Sequence, residues 1–157
     1  MNIFHPVDVI GVRVEMPSNQ PIVLVRERDG VRYLPIWVGA VEATAIAFAQ
    51  QGVIPPRPLT HDLIQTIIEE VALPPESVNL TELKDGIFYA EIRFSGGKVI
   101  SARPSDALAI GLRLGTPLFA SEDLFAAAGI EIPDQADDEV EKFKEFLDHI
   151  NPEDFAS

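Results

Sequence analysis

The sequence predicts an α+β fold: a single compact domain with a mixed, largely antiparallel sheet flanked by helices. Three observations lead there. Six or seven short runs rich in β-branched and aromatic residues alternate in polarity like half-buried strands, and Asp29-Gly30 and Gly96-Gly97 supply tight turns between them. Apolar helical faces are interspersed irregularly, starting near Val41, Thr60 and Pro104, so the strict strand–helix alternation of a doubly wound parallel sheet is missing. A strand–turn–helix unit also occurs twice. Glu42-Ala43-Thr44-Ala45-Ile46 follows one apolar run, and Asp106-Ala107-Leu108-Ala109-Ile110 follows another.

Taken in order, residues 6–16 alternate, with Val7, Val9, Val12 and Val14 against Asp8, Arg13 and Glu15, and an irregularity is expected at Ile10-Gly11. Residues 22–28 and 31–38 complete an antiparallel meander. Arg26, Arg28 and Arg32 fall near its hairpin tip with Glu27 and Asp29 among them, which reads as a solvated edge rather than a phosphate site. A helix over residues 41–51 ends at Gly52, and a stiff proline-rich connection carrying Arg57 follows. Thr60 is the expected N-cap of the next helix, with His61 and Asp62 at its exposed start and Leu63, Ile64, Ile67, Ile68 and Val71 on one apolar face. Residues 77–83, 87–95 and 98–102 read as strands, the second with Phe88, Ala90, Ile92 and Phe94 facing the core.

Pro104 suits the first position of a helix, Asp106 lies in that helix's first turn near the positive end of its dipole, and Gly115 stops it. A short strand at 116–120 leads to Ser121, a helix cap with Glu122 and Asp123 behind it and Gly129 at the far end. These signals make residues 1–132 one domain. Residues 133–157 form an acidic appendage, with a polar linker and an amphipathic helix at 138–150.

Charge and composition narrow the function. The chain has 157 residues, 46% of them hydrophobic, and a net charge of −13. Residues 1–118 carry 13 acids and 10 bases, whereas residues 119–157 carry 12 acids and 2 bases, so the acidity belongs to the C-terminal part. No basic tract marks a constitutive nucleic-acid surface, and an acidic tail repels phosphates. Cysteine is absent, which excludes disulfides, thiolate metal sites and a cysteine nucleophile. No apolar run reaches membrane-spanning length, and no leader pattern stands at the N-terminus, so a cytoplasmic protein is expected. The alanine-rich stretch at 40–49, with Ile46 and Phe48, offers more apolar surface than so small a chain can hide, and a homo-oligomer, most simply a two-fold dimer, is expected.

Three linked segments, residues 34–43 (LPIWVGAVEA), 57–63 (RPLTHDL) and 101–107 (SARPSDA), resemble the bifunctional nuclease family in order and spacing. The resemblance extends from about Val7 to Gly129. It implies a compact α+β domain, usually oligomeric, with DNase and RNase activity. It also singles out Glu42, His61, Asp62, Arg103, Ser105 and Asp106 as motif positions, without a mechanism to carry over.

Phosphodiester cleavage needs an activated water, charge neutralisation on the phosphate and help for the leaving oxygen. Glu42, Asp62 and Asp106 are candidate catalytic carboxylates and candidate oxygen ligands for Mg²⁺ or Mn²⁺. His61 is a candidate general acid or base. Arg103 has the planar fork that grips a phosphate, with Arg57 and Ser105 as further substrate contacts. Each has a structural alternative: helix caps for Asp62, Ser105 and Asp106, and an ion pair joining Arg103 to Glu42 or Asp106. The other function open at this point is a non-catalytic oligomer that regulates or binds a ligand. If the two strands before Glu42 and Asp106 run the same way, both acids reach one end of the sheet, Arg103 lies between them, and His61 and Asp62 fall at the site's edge or arrive across a subunit boundary.

Overall fold

The structure is a computed structural model that describes residues 3–131. The expected acidic appendage from residue 133, with its helix at 138–150, lies outside the described residues. The chain runs β1 (Phe4–Glu15), β2 (Gln20–Glu27), β3 (Arg32–Trp37), α1 (Ala40–Gln51), α2 (Thr60–Glu70), β4 (Pro75–Lys84), β5 (Ile87–Phe94), β6 (Val99–Ala102), α3 (Pro104–Leu114), β7 (Leu118–Ser121), α4 (Glu122–Ala128) and β8 (Ile130–Glu131). The eight strands form one open sheet in the order β6-β5-β4-β7-β1-β2-β3-β8. Every pairing is antiparallel except β4 with β7, so the α+β, largely antiparallel class is the one observed.

Two antiparallel blocks, β6-β5-β4 and β1-β2-β3, are joined through the short β7. Alternation sets which faces meet. Val23, Val25, Leu34 and Ile36 from one block and Val78, Leu80, Ala90 and Ile92 from the other all join a single buried cluster, roofed by α1 and α3. The register slips between Val9 and Gly11, as the break in alternation at Ile10 predicts. α1 lies on β1 and β2, α3 lies on β4 and β5, and α1, α3 and α2 pack side by side. Small residues permit this closeness. A Cβ at Gly111 would come within 2.9 Å of Leu118 and 3.0 Å of Val78, so α3 sits nearly in contact with the β4–β7 pair.

The sheet also curls. Gln20 of β2, Trp37 of β3 and Gly86, Ile87 and Phe88 at the start of β5 line one cavity of about 320 Å³, although β4, β7 and β1 separate β5 from β2 in hydrogen-bonding order. The ends of the two blocks therefore come round towards each other, and the cavity opens where they meet.

Several expectations are corrected. The α2 N-cap is Leu59 rather than Thr60: the Leu59 N–H donates to the Asp62 carboxylate (3.0 Å), which satisfies the helix start from inside. The apolar face of α2 divides, with Ile64 and Ile68 packed on the core and Leu63, Ile67 and Val71 exposed. Arg32 is not part of a solvated edge. Its guanidinium is bidentate to both Glu27 and Glu122, at 2.7–3.2 Å, and lies 4.9 Å from the Phe125 ring. The cause is tertiary: α4 brings Glu122 and Phe125 against β3, a contact with no trace around residue 32 itself. β8, pairing Ile130 with Tyr33, was not expected at all.

Candidate functional site

Two helix starts and one buried histidine meet around Arg103, which lines the cavity. Pro104 occupies the first turn of α3 and Arg103 its N-cap position, with no side chain capping the helix. Asp106 stands in that first turn, as Glu42 does in α1, whose N-cap is Gly39. Arg103 bridges the two acids. Its Nε donates to Asp106 Oδ2 (2.8 Å) and its Nη1 to Glu42 Oε1 (2.9 Å). The Arg103 side chain remains 64% exposed, while those of Glu42 and Asp106 are 18% and 30% exposed. The guanidinium is thus held from behind on two carboxylates while its outer edge faces solvent.

The third member is His61, at the start of α2. Its Nε2 bonds to Asp106 Oδ1 at 2.9 Å, so the Asp106 carboxylate is shared between the histidine and the arginine. Partial burial works to raise the Asp106 pKa, but the bonds from Arg103 and His61 outweigh it and hold the carboxyl below its usual range. The same contacts, Asp106 first and then Glu42, raise the Arg103 pKa. At neutral pH Asp106 is ionised and the Arg103 guanidinium charged. The expected exposed position of His61 is corrected, since the residue is 8% exposed because α2 packs its first turn against α3.

Glu42 and Asp106 do meet, but not for the reason the sequence suggests. Following the pairings across the sheet, β3 and β6 run in opposite directions, so a common strand direction cannot bring the acids together. Curling of the sheet and direct packing of α1 on α3 do so instead. Gly39 gives the carboxylate room: a Cβ there would stand 2.5 Å from Glu42 Oε2, so the tip of that side chain would have to shift.

Asp62 goes elsewhere. Its Oδ1 accepts from Arg113 Nε (2.8 Å), whose side chain is only 6% exposed, and its Oδ2 caps the start of α2. The Arg113 bond, with the Leu59 N–H and the guanidinium charge behind it, holds Asp62 below the usual carboxylate range. This pair ties α2 to α3, and Arg113 also donates to the Ala109 carbonyl (2.8 Å). Ser105 is buried and lines the cavity. Arg57 is exposed on the connection before α2 and is not one of the ion pairs around Arg103.

The expected metal set of Glu42, Asp62 and Asp106 is therefore not assembled. Asp62 points to Arg113, and the space between Glu42 and Asp106 holds a guanidinium, which already supplies the positive charge those acids require. Among the described residues no three His, Cys, Asp or Glu side chains lie close enough to share a metal. Glu42 and Asp106 are engaged by Arg103 and Asp62 by Arg113, so the three carboxylates do not converge on one point.

One cavity residue escaped the sequence reading. Trp37, the single tryptophan of the chain, is 48% exposed at the end of β3 and lines the same cavity as Arg103. The signal lay in the strand's alternation: Leu34, Ile36 and Val38 are buried, which puts Trp37 on the opposite face.

Fold and site together define an α+β domain whose curled antiparallel sheet holds a carboxylate-anchored arginine at the mouth of a cavity. The chain belongs to the bifunctional nuclease domain family, whose sequence profile matches residues 23–133. That span contains Trp37, Glu42, His61, Asp62, Arg103 and Asp106. Two proteins from two strains of Mycobacterium tuberculosis are each 52% identical to it, over 96% of this chain and 98% of their own length, and both are described only as uncharacterized proteins. Among the described residues no helix is long and apolar enough to cross a membrane.

Proposed function

We propose that this chain is a nuclease that cleaves phosphodiester bonds in DNA or RNA, with Arg103 as the group that grips the scissile phosphate. The observation that carries the reading is the geometry of Arg103. Nε and Nη1 are spent on two carboxylates, and the exposed side of the fork stands at a cavity mouth beside the first turns of α1 and α3. A guanidinium fixed in this way loses little freedom when a phosphate oxygen replaces water on its outer edge. It then stabilises the added negative charge of a pentacoordinate phosphorus without rearranging. The helix starts add partial positive charge on the same side.

The remaining residues take roles that follow from their partners. Glu42 is the carboxylate beside the clamp that takes the proton of an attacking water. Asp106, held at low pKa by its partners, is a poor base and serves to aim Arg103. His61 is a positioning residue that holds Asp106 from inside. Asp62 belongs to the α2–α3 tie, and no step passes through a metal ion. The family's nuclease description supports the reading. The protein is read as cytoplasmic and dimeric, the exposed Leu63, Ile67 and Val71 of α2 giving a second copy an apolar face to cover.

The test is degradation of labelled single-stranded and duplex DNA and RNA by highly purified protein, with and without EDTA, beside Arg103→Ala. The reading expects cleavage that persists in EDTA and falls at least about a hundredfold in the variant. Equal cleavage by both proteins marks a contaminant and leaves the second reading, a non-catalytic oligomer, in its place.

A further inference from the structure

We infer that Trp37 is a stacking platform for one unpaired nucleobase, so that the substrate is a single strand seated with its phosphate on Arg103 and the adjoining base on the indole. The inference rests on the nuclease reading of Arg103 and adds to it the substrate class and the residue that selects it.

Three observations converge. Trp37 and Arg103 line one cavity, and of the residues lining it Arg103 alone carries a charge. Trp37 leaves 48% of its surface in water although the sheet it belongs to has a large buried face. The cavity, about 320 Å³, is at the small end of the range for ligand sites, enough for one base and its phosphate rather than for a duplex. Its other wall, Ile87 and Phe88, is also apolar.

Charge favours a contribution from stacking. Residues 1–118 carry 13 acids against 10 bases, so their net charge does not help to hold a polyanion. A strand that gains little from phosphate contacts must gain from its bases, and every base has a face that an indole can cover. In a duplex those faces are already covered by neighbouring pairs. The duplex also presents two rows of phosphates to a surface with a net negative charge.

Because Trp37 is the single tryptophan, the intrinsic fluorescence of the full-length protein reports on this site. The experiment titrates the protein with a twelve-residue oligonucleotide in four forms: single-stranded DNA, single-stranded RNA, the same DNA as a duplex, and an abasic strand with the same phosphates. The expected result is quenching by both single strands, with the duplex and the abasic strand binding about tenfold or more weakly. Equal binding of the abasic strand, or no quenching by any form, overturns the inference. In the cleavage assay Trp37→Leu should raise KM about tenfold, and Trp37→Phe, which keeps an aromatic face, should restore most of it. An unchanged KM in Trp37→Leu counts against the inference just as firmly. Failure of the two readings is distinguishable. Base-dependent quenching without cleavage above the Arg103→Ala level removes the nuclease and keeps the platform. Cleavage without base-dependent quenching does the reverse.

Discussion

Replacing Asp62 with asparagine should cost stability and spare the chemistry. Asp62 Oδ1 holds Arg113 Nε at 2.8 Å, and the Arg113 side chain is 6% exposed. Removing one partner of a buried ion pair typically costs about 3–5 kcal/mol, because a charge is left without compensation. Three features reduce the figure here. The Asp62 side chain is 21% exposed, asparagine keeps an oxygen for the guanidinium or for the Leu59 N–H, and Arg113 retains its bond to the Ala109 carbonyl. About 2 kcal/mol remains, or roughly 4–8 °C in Tm for a chain of this size. Thermal melts by circular dichroism measure it, and initial cleavage rates on the same preparations should stay within about threefold. Arg113→Met should be destabilising alone yet recover part of the loss when combined with Asp62→Asn, because the double variant buries no unpaired charge. The pH dependence has a definite sign. Arg113 depresses the folded-state pKa of Asp62, so the tie contributes above the unfolded value of about 4 and is lost as pH falls through the lower folded value. The gap in Tm between wild type and Asp62→Asn should therefore be full at pH 6 and close in strong acid. A variant with unchanged Tm and abolished cleavage would refute this reasoning and return Asp62 to the reaction.

Gly39→Ala should reach the site without entering it. The new Cβ would stand 2.5 Å from Glu42 Oε2, so the carboxylate must shift while Oε1 holds Arg103, and cleavage should fall about threefold with little change in Tm. Ser121→Ala should act on stability alone. The fully buried hydroxyl accepts from Leu124 N–H at the start of α4 and donates to the Thr81 carbonyl at a register slip in β4, so about 2 kcal/mol should be lost in a denaturant titration. Removing residues 133–157, which carry 9 acids and 2 bases, should leave the melting transition in place and raise cleavage most at low salt, where repulsion is least screened. A truncated protein that no longer melts cooperatively contradicts the separate appendage.

What could be read from the chain was set by local chemistry. Pro104 at a helix start, Gly52 and Gly115 past two helix ends and Ser121 as a cap each act through the backbone within a turn of themselves, and each stands where expected. The meeting of Glu42 with Asp106 was expected on a mistaken ground, because strand direction depends on pairings that no short stretch encodes. His61 reads as exposed from its place at a helix start, and its burial comes from α3, some 45 residues on. Arg32 and Arg113 behave alike: their partners, Glu122 and Asp62, lie 90 and 51 residues away. Trp37 was legible as a strand residue on the open face of β3, but the cavity beside it exists only because the sheet curls.

The most direct measurement is kcat/KM for a single-stranded oligonucleotide with wild type, Arg103→Lys and Arg103→Ala purified through identical steps, each with its Tm. Arg103 is exposed, so the folds should persist and Tm should stay within about 2 °C. The account predicts a graded loss. Lysine keeps the charge but loses the fork that reaches two carboxylates and a phosphate together, and should retain a few per cent of activity. Alanine should fall at least about a hundredfold. Three equal values of kcat/KM, with Tm unchanged, would contradict it.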